Sequence, residues 1–205
     1  MNGDGSAALP EPSAGQTPRL PRPAATPAPR LLLLPGWLDS GRAHWQSCWE
    51  ILHGCERVQQ DDWIWPRRGD WMSHLDDELQ SDNRPAVLIA HSLGCQLVAS
   101  WAAHSRHTGR VQAAFLVAPP DTERDDMPPN LFNWRPVVRQ RLPFPSLMVV
   151  SSDDPYCAPD RAAGMARDWG SDIHVLGPCG HINGDSGLDD WPAGWAMLQS
   201  ITSDR

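Results

Sequence analysis

The feature that most restricts what this chain can become is an alternation of short, wholly apolar runs with longer stretches carrying one apolar face. Residues 31–34 are four leucines stopped by Pro35 and Gly36, and residues 86–90, 111–118 and 146–151 are further apolar runs. Runs of this length without polar alternation suit strands buried on both faces. Between them, Trp45, Trp49 and Leu52 share one helical face over residues 42–53, and Trp71, Met72, Leu75 and Leu79 share another. Residues 93–105, 158–169 and 191–201 read as three more helices. Residues 57–60 and 172–176 read as two more strands. The Pro-rich, acidic stretch 119–145 allows only one helical turn, near residues 134–140. Strand–helix alternation of this kind predicts a compact α/β fold, a mostly parallel sheet with helices on both faces.

Composition narrows the function. The chain has 205 residues, about one domain. Acidic residues outnumber basic ones 25 to 17, leaving a formal charge of −8, so nucleic acid is not an expected partner. All 17 basic residues are Arg. Without Lys, Schiff-base chemistry, a P-loop lysine and a Ser–Lys dyad are excluded. No apolar run is long enough to cross a membrane, so no membrane partner is expected. The five cysteines are odd in number and lack CxxC spacing, which points to a reducing, cytoplasmic setting. Residues 1–29 hold seven prolines and six alanines and lack the pattern of a signal peptide. They are expected to be a disordered leader to a single domain over residues 30–205.

The chemistry gathers at three strand ends. The stretch VLIAHSLGC over residues 87–95 is strand, then Ala90-His91-Ser92-Leu93-Gly94, then helix. Small residues on either side of Ser92 let strand and helix approach closely, so that the hydroxyl projects above the sheet from a sharp turn. Ala90 stands where Gly is commoner. By itself Ser92 equally suits a plain helix N-cap. A nucleophilic Ser needs a base, and His181 lies in a Gly-rich loop after the last predicted strand. The other seven histidines fall on predicted helices, within a strand or, for His91, beside Ser92 itself, where surface or packing roles are expected. The base needs a carboxylate, and Asp153 and Asp154 both follow the apolar run ending at Val150; Asp121 follows the strand before. The order Ser, Asp, His along the chain is that of α/β-hydrolases, not of chymotrypsin or subtilisin. An oxyanion needs two backbone N–H donors, and the candidates are Leu93 and Trp37, with Gly36 allowing the tight turn after the first strand.

At these residues the sequence resembles the small serine hydrolases of the retinoblastoma-binding protein 9/YdeN type, over about residues 31–200. The resemblance rests on LPGWLDS over residues 34–40 leading to His44, Trp45, Gln46, Trp49 and Glu50. It continues with AHSLG over 90–94, DPYC over 154–157, and GHIN over 180–183 with Ser186, Gly187 and the DWP of 190–192. It implies a compact α/β-hydrolase fold without a large lid and a triad of Ser92, Asp154 and His181, choosing Asp154 over Asp153. It implies no firm substrate. The retinoblastoma contact of the human member is attributed to an L-x-C-x-E motif; the LHGCE of residues 52–56 has the wrong spacing, so no protein partner is carried over.

The expected activity is hydrolysis of a small ester, thioester or amide, without metal or cofactor, since no HExxH or similarly clustered ligand set is present. A non-catalytic binding module on the same fold is the alternative. The substrate pocket is expected to be walled by Gly36, Trp37 and Trp134, and roofed only by the short stretch 119–145. An acidic rim including Asp121, Asp125 and Asp126 is expected to disfavour anions, and short acyl chains of about two to four carbons are expected to fit best.

Overall fold

The computed structural model describes residues 1, 3 and 27–202, so most of the proposed leader lies outside the described residues. Six parallel strands form one sheet: β1 (Arg30–Leu34), β2 (Glu56–Arg57), β3 (Ala86–His91), β4 (Val111–Val117), β5 (Ser146–Ser151) and β6 (Asp172–Leu176), in the order β2-β1-β3-β4-β5-β6. Among the described residues there are five α-helices: α1 (Trp45–His53), α2 (Arg68–Ser81), α3 (Leu93–His104) and α4 (Pro159–Trp169) lie between strands, and α5 (Pro192–Thr202) follows the last one.

The unbroken apolar runs follow from burial on both faces, because side chains alternate between the two sides of a strand. Leu32, Leu34, Leu88, Ala90 and Met148 face a core made with α2, α3 and α4. Leu33, Val87, Ile89, Phe115 and Val149 face a second core made with α1 and α5. The two edge strands are the exposed ones: β6 leaves most of its side chains in solvent, and the two-residue β2 leaves Glu56 exposed. Two helices end at a glycine: α1 stops at Gly54 and α4 at Gly170, both left-handed at φ 65° and 68°, where a Cβ is costly.

Tryptophan fills much of both cores, and several of the indole N–H groups also pin loops. Trp45 donates to the Ile182 carbonyl at 2.9 Å, Trp49 to Asp190 at 2.7 Å and Trp169 to Val138 at 2.7 Å. A buried indole needs such an acceptor, so the same residue supplies apolar area and fixes a connection.

Two sequence expectations need correction here. The second strand spans only Glu56–Arg57 rather than residues 57–60. The helical turn in the Pro-rich stretch is a 3-10 turn at Pro129–Trp134, ahead of residues 134–140. Pro136 is the cause, since a residue preceding proline is driven out of helical geometry; Arg135 is extended at φ −92°, ψ 148°.

Candidate active site

The carboxyl ends of β3, β5 and β6 bring three side chains together. Ser92 stands between β3 and α3 at φ 53°, ψ −122°, a conformation L-residues rarely adopt, and its N–H is held by the Val117 carbonyl at 2.9 Å. The turn is possible because its neighbours are small. A Cβ on Gly94 would lie 2.1 Å from the Leu34 carbonyl oxygen, and one on Gly36 would lie 2.7 Å from Ser92 Cβ. Ser92 makes no side-chain cap bond to α3. Instead its Oγ lies 2.8 Å from His181 Nε2. His181 Nδ1 lies 2.9 and 3.0 Å from the two oxygens of Asp154, whose side chain is only 3% exposed. Because a carboxylate only accepts, Nδ1 carries the proton and Nε2 is free to accept from the hydroxyl.

The adjacent carboxylates divide the work. Asp154 turns inward, where its Oδ1 also accepts the Tyr156 N–H at 2.9 Å. Asp153 turns to the loop that carries His181. Its Oδ1 accepts from the Ser151 hydroxyl at 2.6 Å and from the N–H groups of Cys179 and Gly180 at 2.9 and 2.8 Å. Those donors, the Ser151 hydroxyl foremost, hold the Asp153 carboxyl below the usual carboxylate range. Asp121, the remaining candidate, pairs with Arg161 instead.

Ser92 and His181 open into a cavity of about 660 Å³, a volume ordinary for a small-molecule site, with Asp154 buried behind them. Gly36, Trp37 and Leu93 are among the residues that line it. The Trp37 ring is tied by its N–H to the Ile64 carbonyl at 3.0 Å, while its backbone N–H enters no backbone hydrogen bond among the described residues. Leu93 is the first residue of α3, so its N–H has no carbonyl a turn behind it within the helix. Both donors are therefore available to a developing negative charge.

Trp134 does not wall the pocket. It is 1% exposed, donates to the Pro66 carbonyl at 3.0 Å and packs edge-on against Trp71, because the 3-10 turn directs it into the core. Met127, Pro128, Leu131 and Tyr156 supply the apolar wall in its place. Nor is the rim simply acidic. Of the three expected aspartates only Asp126 lines the cavity, where it is paired with Arg124 at 2.5 Å, and Arg42 joins the lining.

Sequence reasoning also missed three polar residues beneath the site. His44 and His91 line the cavity, although surface or packing roles were expected of both. Gln46 is fully buried and joins the ends of two strands and the Gly36 loop: its amide donates to the Ile89 and Leu34 carbonyls at 3.0 and 3.4 Å, and its oxygen accepts from Ser40. The signal was present as a polar residue on the apolar face shared by Trp45 and Trp49.

A family model described as serine hydrolase matches residues 31–200. No curated protein sequence matches the chain. Among solved structures, it is similar to a YdeN-like hydrolase from Pectobacterium atrosepticum, at 27% identity over 85% of this chain and 90% of that one, with a TM-score of 0.75. It is also similar to the ydeN gene product of B. subtilis, at 17% identity over 86% and 100% of the two chains and a TM-score of 0.67. A monoacylglycerol lipase from Paleococcus ferrophilus is similar at 11% identity over 84% and 93%, with a TM-score of 0.63. At these last two identities the likeness is one of fold.

Proposed function

The chain belongs to the serine hydrolase family, and from that premise we propose that it cleaves a small ester, thioester or amide through an acyl-enzyme on Ser92. Ser92 Oγ attacks the carbonyl carbon as His181 Nε2 takes its proton. The negative charge that develops on the carbonyl oxygen is met by the N–H groups of Leu93 and Trp37. Collapse of the tetrahedral intermediate breaks the bond to the leaving group, which receives the proton from His181. Water then attacks the acyl-enzyme by the same route and frees Ser92. Throughout, Asp154 holds the imidazole in one tautomer and stabilises its cationic form.

One observation carries this reading: the hydroxyl, imidazole and buried carboxylate form an unbroken series of contacts of 3.0 Å or less at a cavity wall. The cavity size and its Met127, Leu131 and Tyr156 wall support a small acyl group. Five free cysteines support a cytoplasmic setting.

A fluorophosphonate probe tests the nucleophile. Stoichiometric labelling located at Ser92 by peptide mass mapping is expected. With p-nitrophenyl esters, catalytic efficiency is expected to peak at acyl chains of about two to four carbons and to be indifferent to chelators. Folded protein that neither labels nor hydrolyses any member of an ester, thioester and amide panel would overturn the proposal.

A further inference from the structure

Beneath the site, two buried histidines are joined in a manner the reaction scheme does not use. His44 caps the N-terminus of α1, where its Nδ1 accepts the Gln46 N–H at 3.1 Å. Its Nε2 lies 3.3 Å from His91 Nδ1. His91 Nε2 in turn lies 2.9 Å from the backbone carbonyl oxygen of His181. The rings stand edge-on, 4.6 Å apart, and each residue is 5% exposed.

The two ends of this series determine every proton in it. An N–H must donate, so His44 Nδ1 is a lone pair and the neutral ring carries its proton on Nε2. A carbonyl must accept, so His91 carries its proton on Nε2 and presents a lone pair at Nδ1. The middle contact is then a proper bond, His44 Nε2–H donating to His91 Nδ1. All bonds run in one direction. A proton added to His44 would face the Gln46 N–H, and one added to His91 would face the His44 Nε2–H.

We propose that His44 and His91 are positioning residues for His181: the series of hydrogen bonds from the Gln46 N–H through both rings to the His181 carbonyl fixes the backbone from which the reactive imidazole projects. The need for such an anchor lies in the loop itself. His181 is flanked by Gly180 at φ 56° and Ile182 at φ 49°, and no helix or strand ladder holds it. Its backbone is held from outside, by Asp153 on one flank and by the Trp45 indole at the Ile182 carbonyl on the other. The histidine pair supplies the remaining bond, at His181 itself. Aligning a general base within hydrogen-bond reach of the nucleophile is a large part of its effect, and displacements near 1 Å cost on the order of 100-fold in rate.

The surroundings keep both rings uncharged. Burial, with Arg57 and His181 adding repulsion, lowers His44 to about 3. Burial, with His44 and His181, lowers His91 well below its ordinary value. Arg57 is itself paired with Asp39 and Glu50, and His181 with Asp154, and among the described residues no carboxylate is paired with His44 or His91. A neutral pair also adds no like charge when His181 becomes cationic during acyl transfer.

The inference rests on the hydrolase reading only for what His181 does; the hydrogen-bond series stands without it. Nitrogen-15 spectra of the imidazoles in wild-type protein test the series directly. Both His44 and His91 are expected as Nε2–H tautomers, unchanged between about pH 5 and 8. Titration of either ring in that range, or an Nδ1–H tautomer, overturns it. Kinetics then test the positioning role. His44→Asn retains an acceptor for the Gln46 N–H but cannot reach His91, so its melting temperature is expected within about 2 °C of wild type. Its kcat is expected to fall on the order of tenfold with KM little changed. His91→Gln retains a donor near the Nε2 position and is expected to keep several times the kcat of His91→Leu. Equal kcat for wild type, His44→Asn and His91→Leu would remove the positioning role. Wild-type protein that labels with no fluorophosphonate would instead remove the hydrolase reading, with the tautomer result unaffected.

Discussion

Ser92 and His181 meet at 2.8 Å, yet the two backbones that bring them together are held by different physics. The Ser92 turn is held sterically. It joins the six-residue strand β3 directly to α3, and its tightness depends on missing atoms: a Cβ at Gly94 would collide with the Leu34 carbonyl, and one at Gly36 with Ser92. The His181 loop is held electrostatically, by hydrogen bonds from residues 26 to 137 positions away in the chain: Ser151, Asp153, His91 and Trp45. A steric joint tolerates no added volume but does not depend on any one polar partner. A hydrogen-bonded loop tolerates changes of size but loses an anchor with each partner removed.

That contrast sets the order of effects. Ser92→Ala is expected to lower kcat about 10⁵- to 10⁶-fold and abolish phosphonate labelling while the protein stays folded, since only the nucleophilic oxygen is lost. More than a few per cent residual activity would sink the assignment. Asp154→Asn comes next, with a loss of about 10⁴ in kcat, because the amide no longer enforces the Nδ1–H tautomer. Steady-state rates on a short ester measure it.

Gly94→Ala tests the steric joint. It is expected to cost about 3 kcal/mol in urea unfolding, because the colliding atom is backbone and cannot swing away. An unchanged midpoint would show that the β1–α3 approach has slack. The smallest effect belongs to Asp153→Asn, whose amide oxygen still accepts from Cys179 and Gly180, with kcat expected within about tenfold of wild type. Should Asp153→Asn prove more damaging than Asp154→Asn, the division of labour between the two carboxylates is wrong. The acid limit follows from the same bonds. Because the folded carboxyl of Asp153 lies below its unfolded value of about 3.9, its anchoring is complete above that value. It is lost only as pH falls through the lower folded value, so the loop remains held at pH 5.

The same difference explains what could be read in advance. Strand and helix positions were legible because each follows from a run of neighbouring residues: β5 falls on 146–151, as the apolar run requires, and β6 on 172–176, where a strand was expected. The Ser92 turn was legible because a small-residue frame at a strand–helix junction is itself a local pattern. His181 was found by its loop and chain order. The choice of Asp154 over Asp153 needed a family resemblance, because two carboxylates in succession look alike until the backbone turns one inward.

Trp134, His44, His91 and Gln46 mark where local reasoning stops. A tryptophan in a Pro-rich loop reads equally as a pocket wall or a core residue, and the extended backbone before Pro136 and the Pro66 carbonyl decided for the core. The sequence by itself determined the alternation of strands and helices, the Ser92 turn and the general order of the site. These depend on contacts within a few residues and on where apolar surface must be buried. Only the tertiary structure decided which carboxylate faces His181, what walls the cavity and which groups hold the loop. Those choices depend on hydrogen bonds between residues far apart in the chain, whose distances and directions exist only once the sheet has assembled.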